Sequence, residues 1–156
     1  VEQLKWVHAM IRRDLVSVQH LAGEVDGGLP ASAAAVRLSE LQTNGPLWQL
    51  RVNCLRYCNF VHLHHEHESA ELFPALRRSN PALGPVVDKL EADHHRVSGL
   101  LDDVEAACHA LSTNDSAQPR QLLVDKLQDL AKELLAHLDY EEEHVSPTLR
   151  TWTGWP

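Results

Sequence analysis

Aromatic residues make up only 5% of the chain, which also has a single methionine and three cysteines. β-Branched runs and strict apolar/polar alternation are nearly missing, so a sheet has nothing to start from. No apolar run reaches membrane length, and no signal-peptide pattern opens the chain; a cytoplasmic protein with no membrane partner is expected. Cys54, Cys58 and Cys108 are odd in number and lack CxxC spacing, which argues against a disulfide framework or a zinc ribbon. All three read as reduced, small core residues. Cations are scarce as well: 14 Lys and Arg against 22 Asp and Glu leave a net charge of −8. Nucleic acid and anionic membrane surfaces both require clustered cations, so neither is an expected partner.

Histidine, in contrast, is abundant, with 11 in 156 residues. The length fits one domain with a real core. Four amphipathic stretches carry apolar residues at alternating steps of three and four. The first reads Leu4, His8, Ile11, Leu15, Val18, Ala22. The second reads Leu47, Leu50, Cys54, Tyr57, Val61, His64, Glu68, Leu72. The third reads Val87, Leu90, His94, Val97, Leu101, Val104, Cys108, Leu111; the fourth reads Leu123, Leu127, Leu130, Leu134, His137, Glu141, with His144 as a further candidate. This period and the short connections at 77–83 and 112–119 predict an all-α, antiparallel, up-down-up-down four-helix bundle. The bundle is expected over residues 1–150, with an extra short helix at Ser32 to Leu41. The tail, 151–156, is expected to cap one end or to touch another subunit. Phe73-Pro74 is expected to end or bend the second helix, because proline lacks an N–H.

The stripe also selects the chemistry. In "HLHHEHESAELFP" (62–74) it picks His64 and Glu68; in the fourth stretch it picks His137 and Glu141; elsewhere it picks His8 and His94. Six ionisable groups in one core are costly unless paired or bound to metal. A partial internal repeat supports a joint role. His64-x-x-x-Glu68 precedes Pro74 by the same interval as His137-x-x-x-Glu141 precedes Pro147, and His8-x-x-Ile11 parallels His94-x-x-Val97. Four imidazoles and two carboxylates suit a pair of transition metals better than one zinc. Manganese or mixed occupancy is open at this point.

The segments "HAMIRRDL" (8–15), "HHEHESAELFPAL" (64–76), "DHHRVSGLL" (93–101) and "HLDYEEEHVSP" (137–147) resemble the hemerythrin family, in particular bacterial proteins with HHE cation-binding domains. The resemblance spans Leu4 to Leu149. It implies two non-heme irons with a bridging oxo or hydroxo group. It places His8 and His64 on one iron, His94 and His137 on the other, and Glu68 and Glu141 across both. Hemerythrin places a second histidine one turn after the third-helix ligand, where this chain has Ser98. That leaves the His94/His137 iron short of a protein ligand, to be filled by water or a nearby side chain. Hemerythrin spacing would select Glu142 in the fourth helix, whereas stripe and repeat select Glu141. Ferritin-like bundles, which pair Glu-x-x-His and use more carboxylates, are the nearest rival.

The expected function is binding of O2, NO or peroxide at a carboxylate-bridged di-iron centre. Enzymatic turnover, as catalase-like peroxide disproportionation, is open, and the Ser98 gap leans toward it. The alternative is an iron-binding, iron-sensing or oxygen-storage module without turnover. The oligomeric state is also open. His65, His95 and His144 are secondary ligand candidates, and Asp93, Asp139 and Glu142 are candidate partners of ligating imidazoles. Tyr57 and Tyr140 are candidates to gate or hydrogen-bond a bound ligand. His20, His62, His67 and His109 read as surface, and Arg12, Arg13, Arg77 and Arg78 as solvated helix-end charges.

Overall fold

A computed structural model describes residues 1–28 and 46–154. The expected helix at Ser32 to Leu41 lies outside the described residues, as do the side chains at Leu47 and Leu50. The described chain is helical, with no strand. Helix α1 spans Glu2–Gly28 and α2 spans Pro46–His67. A π-helical turn, Glu68–Leu72, leads into α3, Phe73–Ser79. A 3₁₀ turn at Pro81–Leu83 precedes α4, Gly84–Thr113, and α5 spans Ala117–Leu149.

Packing follows the stripe. Leu15, Val61, Leu101 and Leu130 are each at most 1% exposed. Side chains of this kind are worth about 1.5–3 kcal/mol each on burial. α1 contacts α2 and α5, and α4 contacts the same two, so the four long helices form a ring. Contacts between neighbours run in opposite senses: His8 meets Glu142 while Arg12 meets Asp139, and Arg96 meets Glu133 while Asp103 meets Lys126. Cys54, Cys58 and Cys108 are free and buried in this core.

The interior is divided. A long apolar cluster includes Ile11, Val61, Val97 and Leu134. A shorter one at the other end includes Leu4, Leu72, Leu90 and Val145. At the boundary of those two sets falls the polar layer: His8, His64 to Glu68, His94, and His137 with Glu141. The short cluster is closed by Trp152, which packs against it and donates from Nε1 to Ser79 Oγ at 3.2 Å. Asn80 Nδ2 donates to Thr148 Oγ1 at 3.1 Å in the same region. The described part of the tail thus caps the bundle; Trp155 and Pro156 lie outside the described residues.

Phe73-Pro74 does not end the second helical rod. The rod passes through the proline by widening: the Phe73 N–H donates to the Glu68 carbonyl, five residues back. An α-helical proline clashes with the carbonyl four residues earlier and leaves it unpaired. A π turn relieves both problems, and such turns occur often at functional sites. Here the turn begins at Glu68, one of the layer carboxylates.

Candidate metal centre

All six stripe-selected residues converge. His8, Glu68, His94, His137 and Glu141 are buried, and His64 is nearly so. His8 Nε2 lies 3.4 Å from Glu141 Oε2 and 4.0 Å from Glu68 Oε1. His64 Nε2 abuts Glu68 Oε1. On the other side, His94 Nε2 is 3.8 Å from Glu68 Oε2, and His137 Nε2 is 3.7 Å from Glu141 Oε2. The Nε2 atoms of His94 and His137 stand 3.2 Å apart. Each glutamate therefore faces imidazoles of both sets.

A seventh residue joins them. His65, a secondary candidate in the sequence, is 6% exposed and stacks on His94 with ring centroids 3.9 Å apart. Donor atoms of His65, His94 and His137 form one close group, and those of His8, His64 and Glu68 another. His65 thus offers the third imidazole that Ser98 cannot. The signal was present in the spacing: Val61, His65, Glu68, Leu72 steps four, three, four, as regular as the path through His64.

The outer nitrogens are held. His8 Nδ1–H donates to Glu142 Oε1 at 2.9 Å, which leaves Nε2 aimed inward. Glu142 also accepts from Arg12 Nη1 at 2.8 Å, and Arg12 Nη2 reaches Asp139 at 2.7 Å. Arg12 is therefore no free helix-end charge; it fixes the acid that orients His8. Asp93 Oδ2 accepts from His137 Nδ1–H at 3.3 Å and from Lys89 at 2.9 Å, and Arg96 grips its other oxygen. Ser69 Oγ lies 2.9 Å from His94 Nδ1. Glu142 and Asp93 thus act as partners of imidazoles, whereas Asp139 serves Arg12.

Several second-tier candidates stand away from the layer. His95 is exposed, and His144 Nδ1 bonds the Tyr140 carbonyl at 2.9 Å. The Tyr57 hydroxyl donates to the Ile11 carbonyl at 3.3 Å, and Tyr140 stacks on His144. Arg77 pairs with Asp88 and Glu91 across the helix junction. His62, expected on the surface, is half-buried beside Asp102 and Glu105.

Burial and close approach shift the ionisable groups of the layer in opposite directions. Burial lowers the pKa of His64 and, helped by neighbouring imidazoles, those of His65 and His94, the last to about 3. Burial also lowers His137. Burial works against charge on His8 too, but Glu141 and Glu68 outweigh it and raise His8 to about 9. Burial and the adjacent Glu141 charge push Glu68 well above the carboxylate range. Glu141, which burial alone would raise, is drawn below that range by Glu68 and His8. Two carboxylates this close share a proton rather than both ionise.

The fit to a metal is chemical as well as spatial. His8 Nε2, His65 Nε2 and both oxygens of Glu68 and Glu141 are buried without a hydrogen-bond partner among the described residues. Each such group costs about 1–3 kcal/mol if left unpaired, and imidazole with carboxylate is a donor set that transition cations accept.

A helical bundle with a buried His/Glu layer defines a metal-binding class of protein. Residues 1–149 match the model of the hemerythrin HHE cation-binding domain, and the chain belongs to that family. Cation binding, typically of iron, is the function at the level of the family. No curated protein and no solved structure matched the chain. No helix among the described residues is long and apolar enough to cross a membrane.

Proposed function

We propose that this chain binds two iron ions in an antiparallel, up-down-up-down bundle and uses them to take up a small ligand, O2 or NO, reversibly. The opposed senses of the helix contacts support the topology. His8 and His64 would hold one ion; His94, His137 and His65 would hold the other; Glu68 and Glu141 would bridge. The observation that carries this is the set of unpartnered Nε2 and carboxylate atoms facing one another inside the layer. When bound, a pair of irons supplies redox-active, Lewis-acidic positions for a small ligand.

The chain's own residues do the rest. Glu142 and Asp93 hold protons on outer imidazole nitrogens, so the Nε2 lone pairs stay aimed at the pocket. Leu4, Ile11, Val61, Leu72, Val97 and Leu134 supply apolar surroundings on both sides of the layer. A cavity of about 480 Å³ is lined by Asp14, Ser17, Val18, Asn53, Arg56, Tyr57 and Phe60, and by no residue of the layer.

The sequence leaned toward peroxide turnover because Ser98 left the His94/His137 iron short of a protein ligand, opening positions on both irons to exogenous ligands. His65 weakens that premise, since it brings the donors to three imidazoles against two. Fewer protein donors on the His8/His64 side favour a single place for the incoming ligand. Peroxide disproportionation is the second reading, supported by the polar link from His8 through Glu142 to Arg12 at the surface. Metal analysis after iron-replete expression is expected to give two irons per chain; one zinc and no iron would refute the proposal. Hydrogen peroxide added to the iron-loaded chain separates the two readings. A stable optical band on exposure to O2 with little oxygen release from peroxide supports the binder, and many turnovers support the enzyme.

A further inference from the structure

We propose that His62, Asp102 and Glu105 form a second, outer cation site that takes a divalent transition ion such as Mn2+ or Fe2+. It uses none of the donors of the interior layer and does not depend on the reading above. His62 projects from α2 and the two acids from α4, with donor atoms gathered in one close group. His62 Nε2 lies 3.4 Å from Asp102 Oδ1 and 3.7 Å from Glu105 Oε1.

Those separations exceed the roughly 2.9 Å of a good hydrogen bond. Two donors bound at about 2.0–2.2 Å to one cation are held about 3–3.5 Å apart. The interior layer shows the same spacings, 3.4 Å for His8 to Glu141 and 3.7 Å for His137 to Glu141. The outer group thus repeats the donor chemistry and separation of the inner one, on rigid helical positions.

Exposure decides the kind of ion. His62 is 24% exposed, Glu105 34% and Asp102 69%, so water can fill the remaining positions and the ion can exchange. One imidazole with two carboxylates selects Mn2+, Fe2+ or Zn2+ over Mg2+ and Ca2+, which take oxygen shells. An overall charge of −8 favours arrival of a cation.

The test is a Mn2+ titration of the iron-loaded full chain, with free Mn2+ counted by electron paramagnetic resonance. One further Mn2+ per chain is expected, with affinity at least tenfold weaker in Asp102→Asn and in His62→Gln. Asp103→Asn, adjacent but facing Lys126, is expected to bind as the parent does. Circular dichroism checks that each variant folds, and exposed Asp102 tolerates the change. Absence of the extra Mn2+, equal binding by parent and Asp102→Asn, or equal loss in Asp103→Asn would overturn the proposal. If the interior takes no iron and admits Mn2+ instead, Asp102→Asn is still expected to remove one ion from the count.

Discussion

The imidazoles of His65 and His94 lie face to face, with 12° between their planes. The stack brings a ring nitrogen of His65 close to donor atoms of His94 and His137. Neutral rings stack in this way; burial and neighbouring imidazoles disfavour a proton on either. His65→Ala is expected to cut bound iron from two per chain toward one, read by metal analysis. Ser98→Ala is expected to leave the count unchanged. Equal iron in the His65 variant and the parent would remove His65 from the ligand set.

Neighbouring acids on α5 give a sharper contrast. Glu141 is fully buried and faces imidazoles from both sides, while Glu142 touches His8 from outside. Glu141→Gln is expected to abolish loading of both ions. Glu142→Gln and Arg12→Ala are expected to weaken binding by about 10–100-fold through lost orientation of His8. Chelator competition measures the difference; a Glu142 variant that loses both irons outright would exchange the two roles.

Without metal, stability should depend on pH in two windows. His64, His65, His94 and His137 have lowered folded-state values, His94 near 3, so the unfolded chain binds more protons below about 6.5. Stability of the metal-free chain therefore falls as pH drops from about 6.5 toward 3. His8 has the opposite sign: raised to about 9, it adds stability below about 6.5 that is lost as pH rises through 9. Thermal melts of the chelator-treated chain from pH 4 to 10 should show a maximum near neutrality. A flat profile across the acid window would contradict the buried neutral imidazoles.

Metal removal should lower the melting temperature without unfolding the helices. A ligand bound only by the folded state stabilises by mass action, while two apolar clusters of the bundle stand beside the layer and do not need the metal to form. Far-UV circular dichroism before and after chelation is expected to overlay at 25 °C, with the thermal midpoint reduced. Loss of the helical signal on chelation would show that the apolar clusters cannot hold the bundle alone. By comparison, Leu134→Ala is expected to cost about 2–5 kcal/mol whether or not metal is bound.

Much of this was legible in the sequence because period and burial coincide. Leu4, Ile11, Leu15 and Val18, or Val87, Leu90, Val97 and Leu101, state a helix face by spacing alone, and the same spacing singled out His8 and His94. His65 was harder, since His64 and His65 both satisfy a three-four step after Val61; only the rings they meet, His8 on α1 and His94 on α4, show that both turn inward. Arg12 could not be read at all, because its acids lie some 130 positions away on α5. The effect of Pro74 was half legible: the missing N–H announces a disturbance, but not that the helix widens into a π turn at Glu68 and continues.

The division of the interior has one more consequence. Four helices striped with leucine and valine could slide past one another by a turn and still bury oil against oil. Here such a slip would set a histidine or a glutamate against leucines on the neighbouring helices. Only one alignment keeps every polar group level with the others, so the centre that receives the cations also fixes the vertical register of the bundle that encloses it.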